Sequence, residues 1–244
     1  MAITLNLTKS VPSLKLVLEK RGITRMPQLE MNIVADVSGS FEDEHREGVT
    51  NDLFTRLAPW GLSFDPDRQL DVFTFSSGPG SAHHVGSLTA DNYQDFVARQ
   101  IIAKVPGWNG GTDYSYVLEK MLQHYGWLPK AAGFLDGLLG RKPRSAARKR
   151  TLCAFITDGD NNDHARTRQV LAASQARADD AYILFLGVSN QGAGHFPFLE
   201  KVADEFGNTG FKRIADVRSF VQKSDDEINE FLIDPELAAW LSKA

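Results

Sequence analysis

Apolar and polar positions along this chain follow two periods, and the change-over points divide it into short strands and longer helices. The runs Met31-Asn32-Ile33-Val34-Ala35, Leu70–Phe75, Thr151–Thr157, 182–188 and 211–214 are β-rich, apolar and of strand length. Between them, apolar residues fall three or four apart and predict helices. One spans roughly 42–57, with Val49, Leu53, Phe54 and Leu57 on one face, and is closed by Pro59 and Gly61. A second runs from about 90 to 104 behind Thr89 as N-cap, and a third carries Val117, Leu118, Met121 and Leu122. Further helices end near Ala178, cover 198–206, and close the chain at 225–241 with a break at Pro235. Residues 82–85 read as an edge strand completing a hairpin after the turn Ser76-Ser77-Gly78-Pro79-Gly80. At the start, 3–7 alternates like a short strand and 13–21 reads as a short helix closed by Gly22.

Strands alternating with amphipathic helices imply an α/β fold: a Rossmann-like, doubly wound, mostly parallel sheet with helices on both faces and one antiparallel edge strand. There is no internal repeat and no linker. The economical division is an N-terminal arm, 1–28, and one domain, 29–244, with an irregular basic insertion at about 126–150.

Composition narrows the class. The 244 residues are 42% apolar and 24% charged, as in an ordinary soluble globular protein, and the net charge of −4 argues against nucleic acid as a partner. Cys153 is the only cysteine, which excludes an internal disulfide. The first residues lack a signal peptide's pattern and no run approaches the ~20 apolar residues of a membrane span. A cytoplasmic protein is the expectation.

The chemistry sits where strands hand over to helices. The first core strand ends in Asp36-Val37-Ser38-Gly39-Ser40, one carboxylate and two hydroxyls within five residues, with Gly39 allowing a tight turn. In open α/β sheets such carboxyl-end loops bind ligands. Two further loops are expected on the same edge: Trp108-Asn109-Gly110-Gly111-Thr112-Asp113, where Thr112 also opens and caps a helix, and Asp158-Gly159-Asp160-Asn161-Asn162-Asp163. An all-oxygen set of Asp36, Ser38, Ser40, Thr112 and Asp158 suits Mg²⁺, or Ca²⁺ or Mn²⁺, rather than zinc. Its two carboxylates balance a divalent charge, leaving the ion open to one more anionic oxygen from another molecule.

These three segments resemble the metal-ion-dependent adhesion site (MIDAS) of von Willebrand factor type A (vWA) domains: Asp36-Val37-Ser38-Gly39-Ser40, Gly110-Gly111-Thr112-Asp113 and Thr157-Asp158-Gly159 match its ligand positions in order. More narrowly, three stretches are similar to the vWA proteins of bacterial tellurite-resistance (TerF-like) stress operons. They are the opening Ile3-Thr4-Leu5-Asn6-Leu7-Thr8-Lys9, the segment from Thr157 to Asp163, and the ending from Phe198-Leu199-Glu200-Lys201 to Ile214-Ala215-Asp216. The resemblance implies a cytoplasmic, non-enzymatic protein-interaction module whose metal captures an acidic side chain of a partner, among other Ter-operon proteins.

Rival readings are weaker. Asp158–Asp163 imitates a calcium loop, but Asp163 stands in the place of its glycine and Gln169 at its twelfth position. A Mg²⁺-dependent phosphohydrolase with Asp36 as nucleophile needs a general acid two residues on, where Ser38 stands, and no phosphate-cradling motif appears. His45, His83, His84, His124, His164 and His195 are scattered and read as solvated or capping, with His164 nearest the rim of the site. The basic cluster Arg141, Lys142, Arg144, Arg148, Lys149 and Arg150 reads as a solvated loop. With Phe134, Leu135, Leu138 and Leu139 before it, contact with a membrane surface is the lesser alternative.

Overall fold

Six strands pair into one sheet: β1 (Glu30–Asp36), β2 (Leu70–Phe75), β3 (His83–Leu88), β4 (Thr151–Thr157), β5 (Ala181–Val188) and β6 (Thr209–Ile214). Their order in space is β3-β2-β1-β4-β5-β6, and every pair is parallel except the hairpin β2–β3 at one edge. The computed structural model describes residues 3–129, 147–189 and 195–243. The predicted fold class therefore holds, including the antiparallel edge strand.

Strand alternation explains the two layers. Met31, Ile33 and Ala35 of β1, with Leu152, Ala154 and Ile156 of β4, face one apolar cluster. Val34, Cys153, Phe155, Ile183 and Phe185 face the other. The first face is covered by helices α1 (Leu7–Lys20), α3 (Val49–Phe64), α4 (Phe96–Gln100), α8 (Val217–Val221), α9 (Asp225–Leu232) and α10 (Pro235–Leu241). Helices α5 (Ser115–His124), α6 (His164–Ala176) and α7 (Pro197–Glu205) cover the second, and the short α2 (Glu42–Arg46) follows a single 3-10 turn, Gly39–Phe41. Among the described residues no helix is long and apolar enough to cross a membrane.

Several expectations are corrected. No strand forms at 3–7; instead α1 begins at Leu7 and runs through Pro12. Tertiary contacts override the proline: Leu14, Val17 and Leu18 are buried, and the Ser10 hydroxyl donates to Asp225 of α9 at 2.7 Å. The helix expected over 42–57 is divided at Gly48, whose φ of +81° breaks the run, and its second part continues through Pro59 to Phe64. Burial of Trp60, Leu62 and Phe64 outweighs the one backbone bond that Pro59 cannot make. The helix expected over 90–104 shrinks to α4, because Asp95 and Ala103 adopt left-handed backbone on either side. Thr89 therefore caps no helix. The terminal helix is two: Asp234 accepts from Leu237 N–H at 2.8 Å and Pro235 opens the second. Phe134, Leu135, Leu138, Leu139, Arg141, Lys142 and Arg144 lie outside the described residues.

Candidate functional site

Strand order alone locates a crevice. The chain leaves β1 toward β2 on one side and later returns to β4 on the other, so the loops after β1 and β4 part there, at the carboxyl ends. Asp36 is the last residue of β1 and Asp158 follows the last residue of β4. Two bonds hold the Asp36 side chain at this point. Asp36 Oδ1 accepts from Ser38 N–H at 2.8 Å, turning the backbone, and Oδ2 accepts from the Thr157 hydroxyl at 2.7 Å. The Ser38 and Ser40 hydroxyl oxygens lie 3.3 Å apart.

The middle loop docks on the first. Gly39 N–H donates to Gly110 O at 2.9 Å and Asn109 N–H to Val37 O at 2.8 Å. A Cβ at position 39 would stand 2.8 Å from Asn109 Oδ1, so a larger residue there would push the Asn109 side chain aside. Thr112 is tied to the third loop through its carbonyl, which accepts from Asn162 N–H at 2.8 Å and from the Asn162 amide at 3.1 Å. Asp36, Ser38, Ser40 and Asp158 thus converge, and Thr112 sits in the loop joined to both neighbours.

Thr112 is not the cap of α5, however. Asp163, from the third loop, accepts from Tyr114 N–H and Ser115 N–H, each at 3.0 Å. Against the cost of burial, the Ser115 and Asn161 side chains and then these two N–H groups hold the Asp163 carboxyl below its usual range. Tyr114, wholly buried, donates through its hydroxyl to Gly159 O and is 3.2 Å from Thr157 Oγ1. Sequence reasoning missed both roles; Asp163 appeared there only as a misplaced residue of a calcium loop.

The electrostatics of the two carboxylates are unrelieved. Asp36 is fully buried, and burial followed by the charge of Asp158 pushes its carboxyl up to about 7 despite the bonds from Thr157 and Ser38. Burial also raises Asp158, against the Ser40 hydroxyl beside it. Glu44 is raised as well, by burial first and by Asp158 among its neighbours. Asp158 Oδ1 is buried without a hydrogen-bond partner among the described residues. An anionic pair with an unsatisfied oxygen, ringed by hydroxyls, fits a hard divalent cation.

His45 is no solvated histidine. It is 1% exposed, packs its ring between Phe41 and Trp108, and places Nε2 2.7 Å from Asp36 O. Burial holds its pKa down to about 4. The ring is therefore neutral at pH 7 and carries its proton on Nε2, donating to that carbonyl. His164 is exposed and stacks on Phe198, with centroids 4.2 Å apart. Together with Asp160, Arg168 and Lys201 the two line an open depression of about 450 Å³ next to the third loop.

A second group escaped the sequence reading. Asp71 of β2 lies 3.2 Å from His84 Nε2 and 3.1 Å from His124 Nε2, and the three side chains could hold a metal ion. Residues 53 apart in sequence carry no local signature. Of the basic cluster, Lys149 pairs with Glu30 at 2.6 Å and Arg150 stacks over Trp240, so these two are fixed to the fold rather than free in a loop.

The family model described as the vWA found in the TerF C terminus matches residues 28–244. The uncharacterized protein YcbR of Bacillus subtilis (strain 168) is 24% identical over 246 residues, covering 99% of this chain and 88% of that one. Among solved structures, proximal thread matrix protein 1 of the mussel byssus superposes with a TM-score of 0.52 at 16% identity, covering 86% of this chain. The chain spans 48% of that protein's length, and the likeness speaks for the fold alone. The ArnB paralog VWA2 from Sulfolobus acidocaldarius gives 0.47 at 13% identity, covering 82% of this chain and 46% of its own. On the family match across nearly the whole chain, and on the sheet and loops described above, this protein belongs to the vWA-TerF-like family of von Willebrand factor type A domains.

Proposed function

We propose that this protein is a metal-dependent protein-interaction module, working in the cytoplasm within a bacterial stress-response system of the tellurite-resistance kind. One observation carries the reading: fully buried Asp36 faces the charge of partly buried Asp158, and the buried Oδ1 of Asp158 has no hydrogen-bond partner among the described residues. Asp36, Ser38, Ser40, Thr112 and Asp158 would hold Mg²⁺, or Ca²⁺ or Mn²⁺. Such an ion supplies positive charge between the carboxylates and an affinity for one further anionic oxygen.

The chain's own residues do the rest. Asp36 is held in place by Ser38 N–H and the Thr157 hydroxyl, and its backbone by His45. The neighbouring depression is lined by Lys201, by Arg168, which pairs with Glu205, and by Asp160, and Lys201 offers a partner's Asp or Glu a basic group there. No hydrolytic step is assigned, because Ser38 stands where a phosphohydrolase of this topology needs its general acid.

The test is capture of partners from native lysate on the immobilised protein, in Mg²⁺ and in EDTA at low salt. Partners retained in Mg²⁺ should be lost in EDTA and from Thr112→Ala. A partner held at full strength in EDTA at low salt would show that surface charge, not the metal loops, carries recognition.

A further inference from the structure

The other end of β2 holds a cluster of different chemistry. Asp71 is the second residue of the strand, while Phe75 at its far end pairs with Asp36. Four residues of extended chain put the two regions about 13 Å apart along the sheet.

Three elements build this cluster. Asp71 and Phe73 point to the same face of β2, the face covered by α5. The antiparallel partner β3 would ordinarily send His84 and Ser87, three residues apart, to opposite faces. A register shift between Val72 and Phe73, opposite Gly86 at φ +131°, changes that. It sets Ser87 opposite Asp71 and His84 opposite Phe73, so both share the Asp71 side. His124, the last residue of α5, arrives from above.

The result is two imidazoles converging on one carboxylate. His84 Nε2 approaches Oδ1 at 3.2 Å and His124 Nε2 approaches Oδ2 at 3.1 Å, and all three donor atoms lie within 4.8 Å of one another. These separations are at the long end for an N–H···O bond. Each is also near the ~3.3 Å between two ligands that zinc holds by ~2.0–2.1 Å bonds, the two imidazoles facing different oxygens of one carboxylate. The carboxylate is also oriented from behind: the Tyr125 hydroxyl donates to Oδ2 at 2.9 Å and the Ser87 hydroxyl to Oδ1 at 2.9 Å. Supporting bonds of that kind are characteristic of metal ligands. Phe73 walls the inner side, its centroid 4.7 Å from His84 and 5.4 Å from His124. The imidazoles remain about one-third exposed, so an ion can enter.

We propose that Asp71, His84 and His124 form a second metal site, which takes a divalent transition ion of the zinc type. Two nitrogens and one carboxylate favour such an ion over Mg²⁺ or Ca²⁺, the reverse of the preference at the all-oxygen loops. Three protein donors leave a coordination position facing solvent, open to water or to a donor from another molecule.

Titration of the full chain with Zn²⁺ against a chromophoric chelator, in millimolar Mg²⁺ to occupy the oxygen site, tests this. One equivalent of Zn²⁺ should bind. His84→Gln combined with His124→Gln should weaken it by at least the ~10–100-fold that loss of even a supporting contact costs. Glutamine still donates to Asp71, so the metal-free melting temperature of that variant should stay near wild type while its rise with Zn²⁺ disappears. Asp36→Ala combined with Asp158→Ala should leave Zn²⁺ binding intact. The proposal is overturned if Zn²⁺ does not bind, if it binds the double glutamine variant as tightly as wild type, or if the Asp36/Asp158 variant abolishes it.

Discussion

The two ends of strand β2 border sites built on opposite plans. At the carboxyl end, five oxygen-bearing residues stand at the end of β1 and in the loops beside it, and fully buried Asp36 faces the charge of partly buried Asp158. At the amino end, one carboxylate is surrounded by donors: two imidazoles, a phenol and a serine. Those hydrogen bonds pull the Asp71 carboxyl far below its usual range in spite of its burial. The same residue type thus has an unpartnered oxygen among the described residues in one place and four hydrogen-bonding neighbours in the other. On the function proposed above, the first end is the one that a hard cation would stabilise, whereas hydrogen bonds already hold the second.

The largest expected effect follows from the raised carboxyl of Asp36. A folded-state pKa near 7 against an unfolded value near 3.8 means stability present at low pH and lost as pH rises toward 7. In EDTA, Asp36→Asn should therefore gain on wild type by about 2–3 kcal/mol between pH 5 and pH 8. Saturating Mg²⁺ should reverse the order. Denaturant melts of both proteins at the two pH values would show it, and a gap independent of pH would remove the contrast between the two ends.

His45 should act with the opposite sign. Its pKa falls to about 4 on folding, so the unfolded chain takes up the proton first and stability falls as pH drops below 6.5. His45→Gln keeps a donor for Asp36 O but does not titrate. The advantage of wild type over this variant should shrink by about 2 kcal/mol from pH 7 to pH 5. A constant advantage would mean that His45 is protonated or exposed in solution.

Two smaller effects separate cap from ligand. Asp163→Ala removes the acceptor of two α5 N–H groups and should cost about 1–2 kcal/mol. Thr112→Ala should cost less than about 0.5 kcal/mol, because its side chain is not the cap. Equal losses in thermal melts would return the capping role to Thr112.

That the oxygen-bearing loops lie at one edge of the sheet was legible in sequence because each of the three carries a short local pattern. Asp36, Ser38 and Ser40 lie within one turn, and Thr112 and Asp158 each stand beside glycine at a strand or helix end. Whatever depended on neighbours was not legible. Asp163 looks like the start of its own helix, yet its carboxylate serves α5. The share of a face between His84 and Ser87 depends on a bulge that strict alternation cannot show. Pro59 read as a break, and only the apolar surface buried around it explains why α3 runs through it, as α1 runs through Pro12. The mostly parallel sheet followed from the alternation of elements, whereas the length of α4 turned on two left-handed residues, Asp95 and Ala103.

Calorimetric titration of the full chain with Mg²⁺ at pH 8 tests the central claim most directly. The account predicts saturable binding of one ion in the micromolar-to-millimolar range, lost in Asp36→Ala combined with Asp158→Ala and retained in His84→Gln combined with His124→Gln. Identical isotherms for wild type and the Asp36/Asp158 variant would contradict it.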